Sequence, residues 1–217
     1  MPQANDFQRS VSNIDMSAER SGVFTAGIAR LELNADNLRR FNEVLQRISP
    51  DHPPFSAEQI AGAARRVLRA AAKRHEAPFI RVRMRRAAEI RAAFVDAHWP
   101  VSAALEPIMD AIVGYMDDTA HPLIARDVPV IGQLDDAILV DAAMDTLRAE
   151  LDDYADFCRF RHAEIARIGP TASVPSITRE YWRREREQEL LLEQQLRRVR
   201  ESHYDLHKST EDAFRVR

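Results

Sequence analysis

Apolar residues recur at steps of three and four through most of the chain after about residue 35. This spacing places them on one face of an α-helix, so the pattern predicts an all-α protein. Prolines interrupt the pattern at several points, and each interruption separates two helices because proline cannot continue one. We therefore expect an irregular bundle of five to six helices with a long, charged C-terminal helix.

The first two predicted helices begin with polar capping residues. Asn34 or Asp36 can cap a helix over residues 35–48, because a short polar side chain accepts hydrogen bonds from the free N–H groups of a first turn. Ser56 and Gln59 stand three residues apart, which is the spacing of a capping box. The sequence therefore predicts a second helix that begins at Ser56.

Prolines mark the next two starts. Pro78 suits the first turn of a third helix, where the N–H group that it lacks would have no partner. Pro100 suits the start of a fourth helix, and Pro107 then either shifts that start or kinks the helix. The apolar positions predicted to face the core in these four helices are Leu38, Phe41, Leu45, Ile48, Ile60, Ala64, Val67, Leu68, Ala71, Phe79, Val82, Ile90, Ala93, Phe94, Ala97, Leu105, Ile108, Met109, Ile112, Val113 and Met116.

Two long helices follow. The first runs for about 35 residues to Gly169, which precedes Pro170 and ends the helix. Its predicted apolar positions are Leu134, Ile138, Leu139, Leu147, Leu151, Tyr154, Cys158 and Ile165. The second covers residues 177–207, and its narrow apolar seam has the alternating steps of four and three that are typical of a coiled coil. The residues of this association seam are Leu192, Leu196, Val199, His203 and Leu206.

The predicted domains follow from these elements. Residues 1–26 are polar, and their few apolar residues follow no regular spacing, so we predict a flexible N-terminal arm. Residues 27–169 are predicted to form the bundle domain. A helix with so thin an apolar stripe is marginal alone in water, so it must bury this stripe against its own bundle or against another chain. For residues 170–217 we predict association with another chain, preferably as a homodimer.

The composition predicts the compartment. A single cysteine excludes an internal disulfide and favours a reducing environment. No stretch approaches the ~18 apolar residues of a spanning helix, and the N-terminus has no signal-peptide core. We therefore expect a cytoplasmic protein without a transmembrane segment; peripheral contact with a membrane is left open.

Charge is segregated along the chain. Residues 61–98 contain ten Lys and Arg against three Asp and Glu, whereas residues 99–156 contain two against thirteen. Such segregation creates neighbouring regions of opposite potential, which either pair with each other or leave a face for a charged partner. The candidate residues for binding an anion or a partner are Arg81, Arg83, Arg85, Arg86 and Arg91. A nucleic acid could use this face, but the acidic neighbour would repel a polyanion.

Residues 117–141 form an acidic turn broken by two prolines. Asp135 and Asp136 fall in the first turn of the long helix, where its dipole favours carboxylates, so we predict that they cap or flank the helix rather than bind metal. The alternative is a divalent cation with oxygen ligands. Its candidate ligands are Asp117, Asp118, Asp127, Asp135 and Asp136.

Residues 128–136 read Val-Pro-Val-Ile-Gly-Gln-Leu-Asp-Asp. Over residues 112–147 the chain resembles the YkvA-like domain, a small bacterial helical domain of unknown function, whose members read Ile-Pro-Val-x-Gly-x-x-Asp-Asp at this point. The preceding half of the family motif, Ser-Pro-x-Asp-x-Ile-Pro-Asp, is poorly matched, since Ala125 and Arg126 stand where Pro-Asp would be. The resemblance implies a helical hairpin and, for some relatives, membrane proximity, and it implies no known reaction.

No residue set has the spacing of a catalytic site. The sequence has no Walker loop, no Gly-rich dinucleotide fingerprint and no nucleophile elbow. We therefore expect a non-enzymatic helical interaction or adaptor protein that needs no cofactor and whose partner is another protein or a second copy. The alternatives are a metal-dependent hydrolase or transferase that uses the acidic turn, and a binder of nucleic acid or an anionic surface through residues 81–91.

Overall fold

The computed structural model describes residues 33–74, 77–168 and 177–213, and side chains within 33–72, 77–167 and 177–201. These ranges contain six helices and no strand, which confirms the predicted all-α class. The helices are α1 (Ala35–Ile48), α2 (Ala57–Arg74), α3 (Pro78–Val95), α4 (Glu106–Asp117), α5 (Leu134–Ile168) and α6 (Arg179–Ala213).

The chain divides into two compact units, Met1–Tyr154 and Ala155–Arg217, and the division falls inside α5. In the part that the structure describes, the first unit contains α1 to α4 and the beginning of α5. The second unit contains the end of α5 and α6. The arm predicted for residues 1–26 and the domain boundary predicted at residue 170 lie outside the described residues.

Capping side chains begin the first two helices as predicted. The Asn34 side chain accepts hydrogen bonds from the N–H groups of Asp36 and Asn37, at 2.8 and 3.4 Å. Ser56 and Gln59 form a reciprocal capping box, in which the Ser56 N–H donates to Gln59 and the Gln59 N–H donates to the Ser56 hydroxyl. These bonds satisfy N–H groups that have no partner within the helix.

Pro107 decides where α4 begins. The helix starts at Glu106 rather than at Pro100, and Pro107 lies in its first turn. A start at Pro100 would place Pro107 in the second turn, where its ring would clash with a carbonyl one turn back and remove a hydrogen bond. The start therefore shifts instead of the helix being kinked.

The core of the first unit is centred on α4, which packs against both α1 and α3. The Phe41 ring meets the Tyr115 ring edge-on, with centroids 6.0 Å apart, so an aromatic contact joins α1 to α4. The Trp99 indole donates to buried Glu150 at 2.8 Å. The largest fully buried side chains of this unit are Phe41, Leu45, Ile48, Ile60, Ile90, Trp99, Met109, Ile112, Ile124, Leu134 and Leu139.

Three side chains predicted to be buried are exposed instead. Val82 is exposed because it lies about 200° around α3 from Ile80, which begins the buried row of that helix. Ala97 is exposed after the end of α3, and Ile165 is exposed near the end of α5. Phe157, which the apolar stripe of α5 did not include, is fully buried in the second unit.

Among the described residues, no helix is both long enough and apolar enough to cross a membrane.

Candidate functional site

Two adjacent carboxylates are buried at the start of α5. Asp135 and Asp136 are each only 1% exposed to solvent. Buried carboxylates require hydrogen bonds or opposite charges, since their desolvation is otherwise unfavourable by several kcal/mol. The partners of these two aspartates therefore show what the acidic turn does.

Asp135 holds the chain that precedes α5. Its Oδ2 accepts a hydrogen bond from the Tyr115 hydroxyl at 2.9 Å. The same oxygen accepts from the backbone N–H groups of Leu123 and Ile124, at 3.0 and 3.4 Å. One carboxylate therefore joins α4, the loop after α4 and the first turn of α5.

Asp136 forms an ion pair with Arg126. The guanidinium donates to the Asp136 carboxylate at 2.8 Å and also to the Met116 carbonyl at 2.8 Å. Arg126 therefore connects the end of α4 to the start of α5. The Nε of Arg126 is buried and has no hydrogen-bond partner among the described residues.

A tight turn places Arg126 opposite these carboxylates. The Gly132 N–H donates to the Val128 carbonyl at 2.9 Å, and Val130 has a positive φ of 72°. A Cβ on Gly132 would lie only 2.5 Å from the carbonyl oxygen of Arg126, so only glycine fits this close approach. The Val-Pro-Val-Ile-Gly stretch is thus a structural element that brings the loop back onto α5.

Burial changes the titration of this cluster. Desolvation and the neighbouring Asp135 charge raise the pKa of Asp136 to about 6, although Arg126 acts in the opposite direction. Desolvation and the same Asp135 charge raise the pKa of the Tyr115 hydroxyl far above its ordinary range, so Tyr115 is a permanent hydrogen-bond donor.

The other three acids of the predicted cation site lie elsewhere. Asp117 pairs with Arg91 of α3 at 2.9 Å, and this hydrogen bond lowers the pKa of Asp117. Asp118 pairs with Arg40 of α1 at 2.8 Å, and Asp127 is exposed. Within the described ranges, no three His, Cys, Asp or Glu side chains are grouped as a metal site would require. Four of the five candidate ligands thus have separate partners, and the fifth, Asp127, is exposed.

Three arginines of α3 form ion pairs with acids of the first unit. Arg83 bonds Asp141 of α5 at 2.8 Å, and Arg91 bonds Asp117 of α4 at 2.9 Å, so these two arginines follow the first of the two outcomes that the charge pattern allowed. Arg86 pairs within its own helix, with Glu89. Arg81 and Arg85 are exposed. The opposite charges of the two segments therefore partly satisfy each other inside the first unit.

A groove of about 440 Å³ lies between α3 and the start of α5. Its α3 side is made of small and apolar side chains, including Met84, Ala88 and Val95, and of Arg91, which pairs with Asp117. Its polar residues include Arg126 and Asp136, which already pair with each other. The charges that face the groove are therefore compensated within the protein.

The beginning of α6 is held by Asp156 in the second unit. The Trp182 indole and the Arg186 guanidinium donate to one oxygen of Asp156, at 3.1 and 2.9 Å. Partial burial opposes ionisation of Asp156, but these hydrogen bonds outweigh it and hold the pKa below its usual range. Trp182 is buried, so α6 is packed at this end.

Further along, α6 is exposed on every side. Every residue from 187 to 201 is exposed. Leu192, Leu196 and Val199 expose 57, 48 and 54% of their surface, and we call these three residues the α6 apolar face. The remaining predicted seam residues, His203 and Leu206, have side chains outside the described part of the chain.

Tyr115 and Arg126 are the site residues that the sequence did not reveal as partners of the aspartates. Tyr115 lies among the apolar positions of α4. A tyrosine hydroxyl at such a position needs a buried hydrogen-bond acceptor, and this need was the signal that could have identified it. Arg126 is the only Lys or Arg between positions 99 and 147. A single permanent cation among many acids was the signal that could have identified it. Their distances to the aspartates depend on the turn at Gly132.

Comparison with known proteins finds no match among protein-family models, curated proteins or solved structures. The YkvA-like resemblance of residues 112–147 therefore stays a prediction from the motif. The function proposed below is therefore argued from the geometry of the described residues.

Proposed function

We propose that the protein is a helical interaction protein without enzymatic activity, which self-associates through the α6 apolar face. The observation that carries this proposal is the exposure of Leu192, Leu196 and Val199 on a stretch of α6 that is exposed on every side. Their steps of four and three bring them to one line along the helix. Exposed aliphatic side chains in such a line favour contact with another helix.

The flanking residues favour a contact on one side only. Charged side chains surround the apolar face, among them Glu187, Glu193, Arg197 and Arg200. Burying them on several sides would remove charges from water without partners, at a large free-energy cost. A pairing of two helices buries the line and leaves the other sides in solvent, so a dimer fits best.

In the same proposal, the acidic turn has a structural role. Asp135 and Asp136 already have hydrogen-bond donors within the chain, and these contacts join α4 to α5. They stabilise the first unit. The metal-dependent enzyme and the nucleic-acid binder are hypotheses from the sequence to which the described contacts add no support.

The test is the oligomeric state of the full chain. We expect light scattering to show a concentration-dependent dimer for the wild type and a monomer for the double variant Leu192→Asp with Leu196→Asp. Leu190→Asp is the matched control, because Leu190 is equally exposed, at 57%, but lies on the opposite side of α6. It should leave the dimer intact.

Circular dichroism shows whether the variants keep their helix content. A wild type that stays monomeric at high concentration would defeat the proposal, and so would a dimer that Leu190→Asp weakens as much as the double variant does.

A further inference from the structure

We propose that the occupant of the α6 apolar face is a second copy of α6 that runs antiparallel, so that Glu193 of each copy pairs with Arg200 of the other. This inference rests on the self-association proposed above and adds its orientation and register. It is carried by the exposed apolar residues and by the charges that flank them.

The line of apolar residues defines the heptad positions. Its steps of four and three place Leu192 and Val199 at d and Leu196 at a. Glu193 and Arg200 then occupy the e positions beside the line. The g positions on the other side hold the uncharged residues Gln188 and Gln195. The two flanks of the α6 apolar face are therefore different, one charged and one neutral.

The e residues are available to a second copy. Glu193 and Arg200 are both exposed, and neither forms an ion pair within the described part of the chain. Arg197, by contrast, lies at b and pairs with Glu201 of its own helix at 2.9 Å. The charges beside the apolar line are thus the ones left for contacts between chains.

An antiparallel pair places these charges in complementary positions. Position a of one helix then packs against d of the other, so Leu196 meets Val199 of the second copy on both sides of the two-fold axis. Each e position faces the e position of the other helix. In this register Glu193 meets Arg200 of the second copy, and the symmetry repeats the pair.

A parallel pair offers no such match. There each g position faces an e position of the other helix, so Gln188 would meet Glu193 and Gln195 would meet Arg200. No pair of opposite charges forms between the helices. Because flanking charges set the orientation of paired helices, the antiparallel arrangement is favoured.

Charge exchange tests the pairing. Glu193→Arg and Arg200→Glu each place like charges in both symmetric pairs, and we expect each variant alone to dimerise about ten-fold more weakly than the wild type. An equimolar mixture of the two variants restores opposite charges at both pairs. We therefore expect analytical ultracentrifugation to show a heterodimer about as stable as the wild-type dimer.

Controls separate this effect from net charge. Glu187→Arg and Arg198→Glu make the same changes in charge at exposed positions away from the seam, and they should dimerise like the wild type. If the single e-position variants dimerise normally, or if mixing them restores nothing, the antiparallel register is wrong.

A distance measurement tests the orientation independently. A spin label at Glu187→Cys, in a chain with Cys158→Ser, lies far from the proposed two-fold axis between residues 197 and 198. From the helix rise, two labels are roughly 35 Å apart in the antiparallel dimer and roughly 20 Å apart in a parallel one. Light scattering of the same sample first establishes that it is dimeric.

The outcomes distinguish the two proposals. A dimer with the short distance would overturn the antiparallel orientation and leave self-association standing. A monomer would overturn self-association itself, and the orientation with it.

Discussion

The hydroxyl of Tyr115, in α4, donates a hydrogen bond to the buried carboxylate of Asp135, in the first turn of α5, across 2.9 Å. The same oxygen of Asp135 accepts from two backbone N–H groups of the loop between the helices. A side chain predicted only to flank a helix thus fixes the connection between two helices. The consequences can be measured as changes in stability.

Removing the Tyr115 hydroxyl should weaken the fold. Tyr115→Phe keeps the ring and its contact with Phe41, but it deprives a buried carboxylate of one of its donors. We expect the free energy of unfolding to fall by about 1–3 kcal/mol in urea denaturation. Tyr181→Phe, at a half-buried tyrosine of the second unit, is the control and should change it by less than about 0.5 kcal/mol. Equal effects of the two variants would contradict the role of the Tyr115 hydroxyl.

The Arg126–Asp136 pair should contribute far more than an exposed pair. Arg126→Met leaves Asp136 buried without its cation and releases the Met116 carbonyl, so we expect a loss of about 3 kcal/mol in the same measurement. Arg148→Met removes the exposed pair with Asp145 and should change stability by about 0.5 kcal/mol or less. A small effect of Arg126→Met would show that the pair is not needed to hold α4 against α5.

Asp136 should make stability depend on pH in an unusual direction. Its folded-state pKa of about 6 lies above the ordinary value near 4, so the folded state binds the proton more tightly than the unfolded state. The resulting stabilisation is complete below about pH 4 and is lost as the pH rises through about 6.

The measurement is the free energy of unfolding of the wild type relative to Asp136→Asn between pH 4 and pH 7. We expect this difference to shift against the wild type by about 2–3 kcal/mol as the pH rises. Asp127→Asn, which removes a carboxylate at an exposed position, is the control variant. A difference that is constant over this range would mean that Asp136 titrates normally.

Two glycines of the first unit should respond oppositely to alanine. Gly132→Ala places a Cβ 2.5 Å from the Arg126 carbonyl oxygen, and we expect it to lower stability by about 2 kcal/mol or more. Gly114 lies in α4 with open space around it, so Gly114→Ala should raise stability by up to about 1 kcal/mol. Thermal unfolding measures both, and a tolerated Gly132→Ala would show that the turn can move without loss.

The amino-acid sequence by itself determined the helices of this protein. Helix bounds depend on interactions between residues three or four positions apart, so the capping box at Ser56 and the end of α1 at Ile48 were predictable. The α6 apolar face was predictable for the same reason, because its residues share one helix. The steric rule for proline allowed two outcomes at Pro107, a shifted start of α4 or a kink in it, and the structure has the shifted start.

Only the tertiary structure decided what the acidic turn does. Asp135 and Asp136 are neighbours in sequence, yet one bonds Tyr115, twenty residues earlier, and the other bonds Arg126, ten residues earlier. Those partners are brought together by the close approach at Gly132 and by the packing of α4. A helical pattern places a carboxylate in a first turn, but the desolvation and the donors that determine its role come from chain segments that are distant along the sequence.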